Sequence, residues 1–149
     1  MVAVKQSPVR RGAALSWPAM RLVIVRHAEA APGKPDALRT LTPGGRAQAR
    51  TLGRRLLELG VEPDSVVSSP LLRARETASA LGLGAPQVDE RLAPGASPED
   101  VRDAALGRGE TVLVVGHQPD CGRAVAALAG GPEPAFPPCG HVLVELELV

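Results

Sequence analysis

Two short apolar runs that each lead into a histidine constrain the fold more than any other feature of the sequence. Residues 22–25 (Leu-Val-Ile-Val) precede Arg26 and His27, and residues 112–115 (Val-Leu-Val-Val) precede, after one glycine, His117. Runs this short and this rich in β-branched residues predict strands that are buried on both faces of a parallel sheet. Ligands bind beyond the carboxyl ends of such strands. The sequence therefore predicts that two imidazoles meet at a functional edge of one sheet.

A third short strand is predicted to end at the same edge. Residues 65–68 (Ser-Val-Val-Ser) form this strand, and Ser69 with the following proline is interpreted as a turn into a helix that carries Arg73 near its start. Thr77, one turn later, is interpreted as a support for Arg73. A serine nucleophile is not expected at 68 or 69, because the chain lacks a Gly-x-Ser-x-Gly elbow. A compact, positive pocket suited to phosphoryl oxygens is expected from four residues: Arg26, His27, Arg73 and His117.

Length and composition narrow the possible classes of protein. The 149 residues suffice for one domain with a single core, and the formal net charge is only +1. Trp17 and Phe136 are the only aromatic side chains, so stacking platforms for nucleic acid are not expected. No apolar stretch approaches the roughly 20 residues that span a bilayer. We expect a soluble, cytoplasmic monomer that binds neither nucleic acid nor membrane.

The first nineteen residues differ from the rest of the chain. Arginine, glycine and proline interrupt any periodicity there, and Met20 stands immediately before the first predicted strand. Residues 1–19 are therefore predicted to be a disordered or misassigned leader, and residues 20–149 a single domain. A signal peptide is the competing interpretation, but the apolar stretch Gly12–Leu15 is shorter than the usual 7–15 residues or so.

Both cysteines and the pair His27 and His117 could in principle serve other chemistry. Cys121 and Cys139 are too few for a disulfide framework and are interpreted as free thiols. A Cys-x5-Arg phosphatase loop would need arginine at position 127, where Ala127 stands. Zinc held by His27 and His117 would need a third ligand or a His-Glu-x-x-His spacing, and the sequence offers neither. No metal or other cofactor is expected.

Helix and strand patterns alternate along the chain. Thr42 and Ser97 each precede a proline and resemble N-caps, and Gly60 and Gly130 follow the ends of helical patterns. A short strand is predicted within 87–92 and a last strand over 141–148. This alternation predicts an α/β fold, with helices on both faces of a mostly parallel central sheet in a three-layer αβα sandwich.

Four ordered motifs resemble the histidine phosphatase (phosphoglycerate mutase-like) superfamily. They are Arg-His-Ala-Glu at 26–29, Leu-Thr-Pro-Gly-Gly-Arg-Ala-Gln-Ala at 41–49, Ser-Pro-Leu-Leu-Arg-Ala at 69–74 and Gly-His at 116–117. The resemblance covers nearly everything from Met20 onward, and the short chain is most similar to the SixA-type phosphohistidine phosphatases. It implies a phosphoglycerate mutase-like fold and a phosphatase activity.

The resemblance also implies a role for each residue of the pocket. His27 would be the nucleophile that accepts the phosphoryl group, and Arg26, Arg73 and His117 would bind its oxygens. A histidine nucleophile must be neutral, and nearby guanidinium groups lower its pKa in that direction. The reaction would pass through phospho-His27 and its hydrolysis, without nucleotide or metal. The expected partner is a phosphohistidine-bearing protein or a phosphorylated small molecule.

One departure from the superfamily bears on the substrate. Mutases and many phosphomonoesterases carry a glutamate acid two residues after an Arg-Leu pair, whereas here Arg91-Leu92-Ala93 is followed by Pro94. Phosphohistidine has a better leaving group than a phosphomonoester and needs less protonation, so it is the favoured substrate. Two carboxylates remain as secondary acids, Glu29 and Glu90. A small-molecule phosphomonoesterase and a weakly active phosphate-binding module stay open as alternatives.

Overall fold

The computed structural model describes residues 9–11, 14–16 and 19–147 of the chain. Strands β1 (Val9–Arg11) and β2 (Ala14–Ser16) form a short antiparallel pair. The leader predicted over residues 1–19 lies largely outside the described residues. The side chain of Met20 is 1% exposed and belongs to the core of the fold.

A five-stranded sheet forms the centre of the molecule. Its strands are β3 (Ala19–Arg26), β4 (Ser65–Ser68), β5 (Pro86–Val88), β6 (Thr111–Gly116) and β7 (His141–Glu147). They lie in the order β5-β4-β6-β3-β7. Strands β3 to β6 are parallel, and β7 pairs antiparallel with β3 at one edge. This arrangement confirms the mostly parallel sheet that the alternating pattern predicts.

Four helices cover the two faces of the sheet. They are α1 (Pro43–Glu58), α2 (Leu72–Ala80), α3 (Pro98–Ala105) and α4 (Asp120–Ala129). Alternate residues of β3 and β6 point to opposite faces, where one set packs against α1 and α2 and the other against α3 and α4. The three-layer αβα sandwich is therefore confirmed. None of the helices in the described part of the chain has the length and apolar character that crossing a membrane requires.

Local capping explains where α1 and α3 begin. Thr42 Oγ1 accepts a hydrogen bond of 2.9 Å from Gly45 N at the start of α1. The side chains of Ser97 and Asp100 bond to each other's backbone N–H groups in a capping box that opens α3. Gly60, with φ of 77°, follows the end of α1. These caps lie where the sequence predicts them.

The segment 87–92 departs in part from its prediction. Strand β5 ends at Val88, and Glu90–Leu92 form a 3-10 turn. The turn forms because the Asp89 carboxylate accepts hydrogen bonds from Arg91 N at 2.9 Å and from the Arg91 side chain. At the other end of the sheet, β7 is described as far as Glu147, and the predicted final residue of that strand lies outside the described residues.

Candidate active site

The two histidines meet because their strands are neighbours in register. Strands β3 and β6 pair so that Arg26 lies opposite Gly116, and His27 N donates a hydrogen bond of 3.0 Å to Gly116 O. The next residue on each strand is a histidine, and the two ring centroids lie 5.3 Å apart. The predicted convergence of His27 and His117 at the carboxyl edge of the sheet is confirmed.

The tautomer of His27 follows from its hydrogen bond to the backbone. His27 Nδ1 lies 2.7 Å from Ala28 O, and a carbonyl oxygen can only accept, so Nδ1 carries the proton. The neutral ring then has a bare lone pair on Nε2. Burial lowers the pKa of His27, and the charges of Arg73, Arg26 and Arg39 lower it further, while the Ala28 carbonyl opposes them. His27 is thus neutral at neutral pH, as a nucleophile must be.

His117 is more deeply buried than His27. Its residue is 4% exposed, and its Nε2 lies 2.7 Å from Ser69 Oγ. Burial lowers the pKa of His117 to about 4, helped by its electrostatic interactions with His27 and Arg73. The other ring nitrogen, Nδ1, is buried and has no hydrogen-bond partner. The neutral His117 ring therefore has one buried nitrogen without a hydrogen-bond partner.

Arg26 and Arg73 are each held by part of their guanidinium group. Arg26 Nη1 donates a hydrogen bond of 2.9 Å to Phe136 O, in the proline-rich connector before β7. Arg73 Nη1 donates to Asp36 O at 3.0 Å, and its Nη2 donates to Asp36 Oδ2 at 3.2 Å. In both arginines Nε is buried without a partner. Both side chains are therefore oriented by protein contacts and keep a buried donor unused.

Thr77 joins the start of α2 to the loop after β3. Its hydroxyl donates to Arg73 O at 2.8 Å and accepts from Ala28 N at 2.9 Å. Thr77 thus contacts Arg73 as predicted, but at the backbone carbonyl and not at the guanidinium group. The same hydroxyl also fixes the backbone beside His27, because Ala28 provides the carbonyl that sets the His27 tautomer.

The unpartnered polar atoms of the structure mark the site. Among the described residues, the buried side-chain nitrogens without a partner are Arg26 Nε, Arg73 Nε and His117 Nδ1. All three side chains interact with His27, two through their charge and His117 through its ring. Buried polar groups are costly to leave unpaired, so this group of atoms indicates a site that a ligand completes. An anion with several oxygens would suit this site, because guanidinium and imidazole N–H groups can donate hydrogen bonds to it. The bare imidazole nitrogen of His27 could accept a phosphoryl group from such an anion.

The two secondary acids are not joined to this cluster. Glu29 is exposed, and its Oε1 accepts a hydrogen bond of 2.8 Å from Thr42 Oγ1 at the start of α1. Glu90 is exposed in the 3-10 turn after β5. None of the hydrogen bonds found within the described ranges links either carboxylate to His27 or His117. Across the same residues, no group of three His, Cys, Asp or Glu side chains could hold a metal ion.

The cysteines have inert environments. Cys121 packs beside the sheet, and burial raises the pKa of its thiol to about 12. Burial likewise raises the pKa of Cys139 to about 11. Both are free thiols, as predicted. Neither thiol has the lowered pKa of a reactive nucleophile.

Sequence reasoning missed two side chains that contact the pocket. The sequence indicates only a turn at Ser69, yet the Ser69 hydroxyl contacts His117. Asp36 carried no motif at all, yet it binds Arg73. A signal existed for Ser69, because it follows the third strand at the same sheet edge as the histidines. No comparable signal existed for Asp36, which opens a short 3-10 turn (Asp36–Leu38) between β3 and α1.

Comparison with known proteins identifies the family. The model of the histidine phosphatase superfamily (branch 1) matches residues 22–95. An uncharacterized protein from Picosynechococcus sp. is 39% identical over 129 residues, which cover 75% of this chain and 74% of that protein.

Two solved structures share the fold along most of the chain. A protein from Nakamurella multipartitia described as a candidate phosphohistidine phosphatase SixA superposes with a TM-score of 0.76 and 28% identity, covering 85% of this chain and 84% of its own. The protein histidine phosphatase SixA complexed with tungstate gives a TM-score of 0.73 and 25% identity, covering 86% of this chain and 97% of its own. This chain belongs to the histidine phosphatase superfamily, with a fold that matches the SixA phosphohistidine phosphatases.

Proposed function

We propose that this protein is a phosphatase that hydrolyses phosphohistidine on a phosphorelay or phosphocarrier protein through a covalent phospho-His27 intermediate. The observation that carries the proposal is the bare Nε2 of His27 in a ring that lies 5.3 Å from the His117 ring and interacts electrostatically with Arg26 and Arg73. Each of these three partners has a buried nitrogen without a hydrogen-bond partner. Residues 20–149 would act as one catalytic domain, without a metal or other cofactor. The likeness to SixA structures supports this reaction class.

The first chemical step transfers the phosphoryl group to His27. The Nε2 lone pair attacks phosphorus in line with the bond to the leaving imidazole. That P–N bond breaks, its electron pair stays on the leaving nitrogen, and the leaving imidazole is protonated from solvent. Arg26, Arg73 and the Nδ1–H of His117 stabilise charge on the three equatorial oxygens.

The second step regenerates the enzyme. A water oxygen attacks phosphorus from the side opposite His27, the P–N bond to His27 breaks, and the electron pair returns to Nε2. The proton lost by the water is taken up by the released phosphate. The Ala28 carbonyl keeps the proton on Nδ1 throughout, so His27 resumes the tautomer in which Nε2 is bare.

The placement of the carboxylates favours phosphohistidine over a phosphomonoester. A monoester leaves as an alkoxide and requires a well-placed general acid, whereas an imidazole leaving group requires less help. Glu29 is engaged with Thr42, and Glu90 lies in an exposed turn at the edge strand β5. Arg91 and Leu92 belong to the same turn, and the glutamate expected after them in many relatives is replaced by Pro94.

Single-turnover phosphate release tests this function. The wild type and His27→Ala would be mixed, with chelator present, with a phosphohistidine-carrying protein and separately with p-nitrophenyl phosphate. Fast release from phosphohistidine that the substitution abolishes supports the proposal. Preferred release from the monoester would reassign the protein to small-molecule phosphomonoesterases. Phosphate binding without His27-dependent release from either compound would identify a phosphate-binding module.

A further inference from the structure

Ser69 contacts His117 at the site, and the reaction steps proposed above give Ser69 no role. Ser69 is fully buried, and its Oγ lies 2.7 Å from His117 Nε2. Its backbone N–H donates a hydrogen bond of 3.0 Å to Val115 O, so it is fixed beside β6 two residues before His117. The two side chains are thus held together by the sheet itself.

We infer that Ser69 is a positioning residue whose hydroxyl donates to His117 Nε2 and holds His117 as the Nδ1–H tautomer, with that N–H available to a phosphoryl oxygen. The role in catalysis rests on the proposed function. The direction of the hydrogen bond does not, because it follows from the donors and acceptors around Ser69.

The donor count around Ser69 sets this direction. A serine hydroxyl has one hydrogen to donate and two lone pairs that accept. Ser69 Oγ already accepts a hydrogen bond of 3.2 Å from Leu71 N, and His117 Nε2 is its other partner. If Nε2 carried the proton, the hydroxyl hydrogen of this fully buried serine would have no acceptor among the described residues. A buried hydrogen-bonding group left unpaired is unfavourable, so the hydroxyl donates.

The state of the His117 ring completes the argument. Because burial and neighbouring charges keep its pKa near 4, the ring carries a single proton at neutral pH. With Nε2 accepting from Ser69, that proton is on Nδ1, which is buried and unpartnered. The opposite tautomer would direct a lone pair at the phosphoryl oxygens and repel them. Ser69 therefore supplies a neutral donor to the site through His117.

The test compares the wild type with three variants. Ser69→Ala removes the hydroxyl, and Ser69→Thr retains one. Ser68→Ala is the matched control, since Ser68 is also fully buried but its hydroxyl donates to Ser69 O and not to His117. Two-bond ¹H–¹⁵N correlation spectra of the histidine rings at pH 7 report which nitrogen carries the proton, and thermal unfolding reports whether each variant is folded.

The wild type and Ser68→Ala are expected to show a protonated Nδ1 and a bare Nε2 on His117. Ser69→Ala is expected to lose this preference and to slow single-turnover phosphate release by about 10-fold or more, the scale of losing a partner that orients a functional histidine. If Ser69→Thr is folded, its retained hydroxyl is expected to keep the proton of His117 on Nδ1, as in the wild type. A wild-type His117 that is protonated on Nε2, or on both nitrogens, would overturn the inference. So would Ser69→Ala with unchanged spectrum and rate.

The spectrum separates this inference from the proposed function. If the wild type shows the Nδ1–H signature but releases no phosphate from phosphohistidine, the hydrogen-bond direction stands and the proposed function fails. If the wild type is active but His117 carries its proton on Nε2, the proposed function stands and the role of Ser69 fails.

Discussion

Arg73 and Asp36 form a pair in which a buried cation is bound by an exposed acid. The Arg73 side chain is 8% exposed and the Asp36 side chain 64% exposed, and Arg73 Nη2 lies 3.2 Å from Asp36 Oδ2. A hydrogen bond from Arg39, together with the charge of Arg73, lowers the pKa of Asp36, so this carboxylate is ionised at neutral pH. The pair ties the loop between β3 and α1 to a residue of the candidate phosphate site.

Replacing Asp36 by asparagine should tighten the binding of inorganic phosphate. The carboxylate competes with phosphate for the Arg73 guanidinium, and Asp36→Asn removes that charge while leaving the backbone carbonyl that Arg73 also binds. We expect a decrease of a few-fold in the phosphate Kd by isothermal titration calorimetry, because an exposed charge interacts weakly. An unchanged or higher Kd would mean that Asp36 orients Arg73 more than it competes for it.

Replacing Arg73 by lysine should impair catalysis although the charge is retained. A lysine ammonium cannot bind Asp36 and phosphate through the planar fork of a guanidinium. We expect kcat/KM for phosphohistidine to fall by about 10- to 100-fold. Arg75→Lys is the matched control, because Arg75 lies on the same helix but is exposed. Equal effects of the two substitutions would contradict a specific role for Arg73.

The pH dependence of the rate should reflect the lowered pKa of His27. Burial favours the neutral ring, so the proposed nucleophile should remain active below the ordinary histidine pKa of 6.5. We expect kcat/KM to stay level as the pH falls to 6.5 and to decline only at lower pH. The profile would be measured from pH 4 to 8, with the rate of His27→Ala subtracted for spontaneous hydrolysis. An acid limb centred above 6.5 would contradict the account.

His117 should make the fold less stable in mild acid. Its pKa is about 4 in the folded protein and near 6.5 when unfolded, so below pH 6.5 the unfolded chain binds a proton that the folded protein does not. This residue should lower the free energy of unfolding by about 2 kcal/mol between pH 7 and 5. Urea unfolding of the wild type and of His117→Asn at both pH values measures the difference. Identical pH dependence in the two proteins would be the contrary result.

Removing the Thr77 hydroxyl should destabilise the junction between α2 and the loop after β3. Thr77→Val keeps the side-chain shape but leaves Ala28 N without its acceptor. A buried N–H left unpaired costs about 1–3 kcal/mol of unfolding free energy. Urea unfolding measures this loss, and Thr51→Val, on the exposed face of α1, serves as the control. A loss no larger than that of the control would show that Thr77 is dispensable.

The elements of the fold were predictable because their signals are local. The apolar runs at β3 and β6 and the caps at Thr42 and Ser97 depend on neighbouring residues alone, and each lies where the sequence predicts it. The meeting of His27 and His117 was predictable for a related reason. Parallel strands share one carboxyl edge, so a residue that follows each strand is placed by topology alone.

The contacts that complete the site were not predictable from the sequence. Arg26 bonds to Phe136 O, 110 positions away, and Asp36 bonds to Arg73 from a short 3-10 turn between β3 and α1. Such contacts depend on how the connecting segments pack against the folded sheet. Neither hydrophobic periodicity nor a capping motif in the sequence indicates that packing. The direction of the Ser69 hydrogen bond likewise requires a count of partners that only the folded structure provides.

Trapping the phosphoenzyme tests the central claim most directly. The wild type would be mixed with a phosphohistidine-carrying protein, quenched in alkali within the first turnover, digested and examined by mass spectrometry. We expect an acid-labile, alkali-stable phosphoryl group on His27 Nε2, and its absence in His27→Ala. Release of phosphate at the full rate with no phosphorylated His27, or a phosphoryl group carried on another residue, would contradict the mechanism.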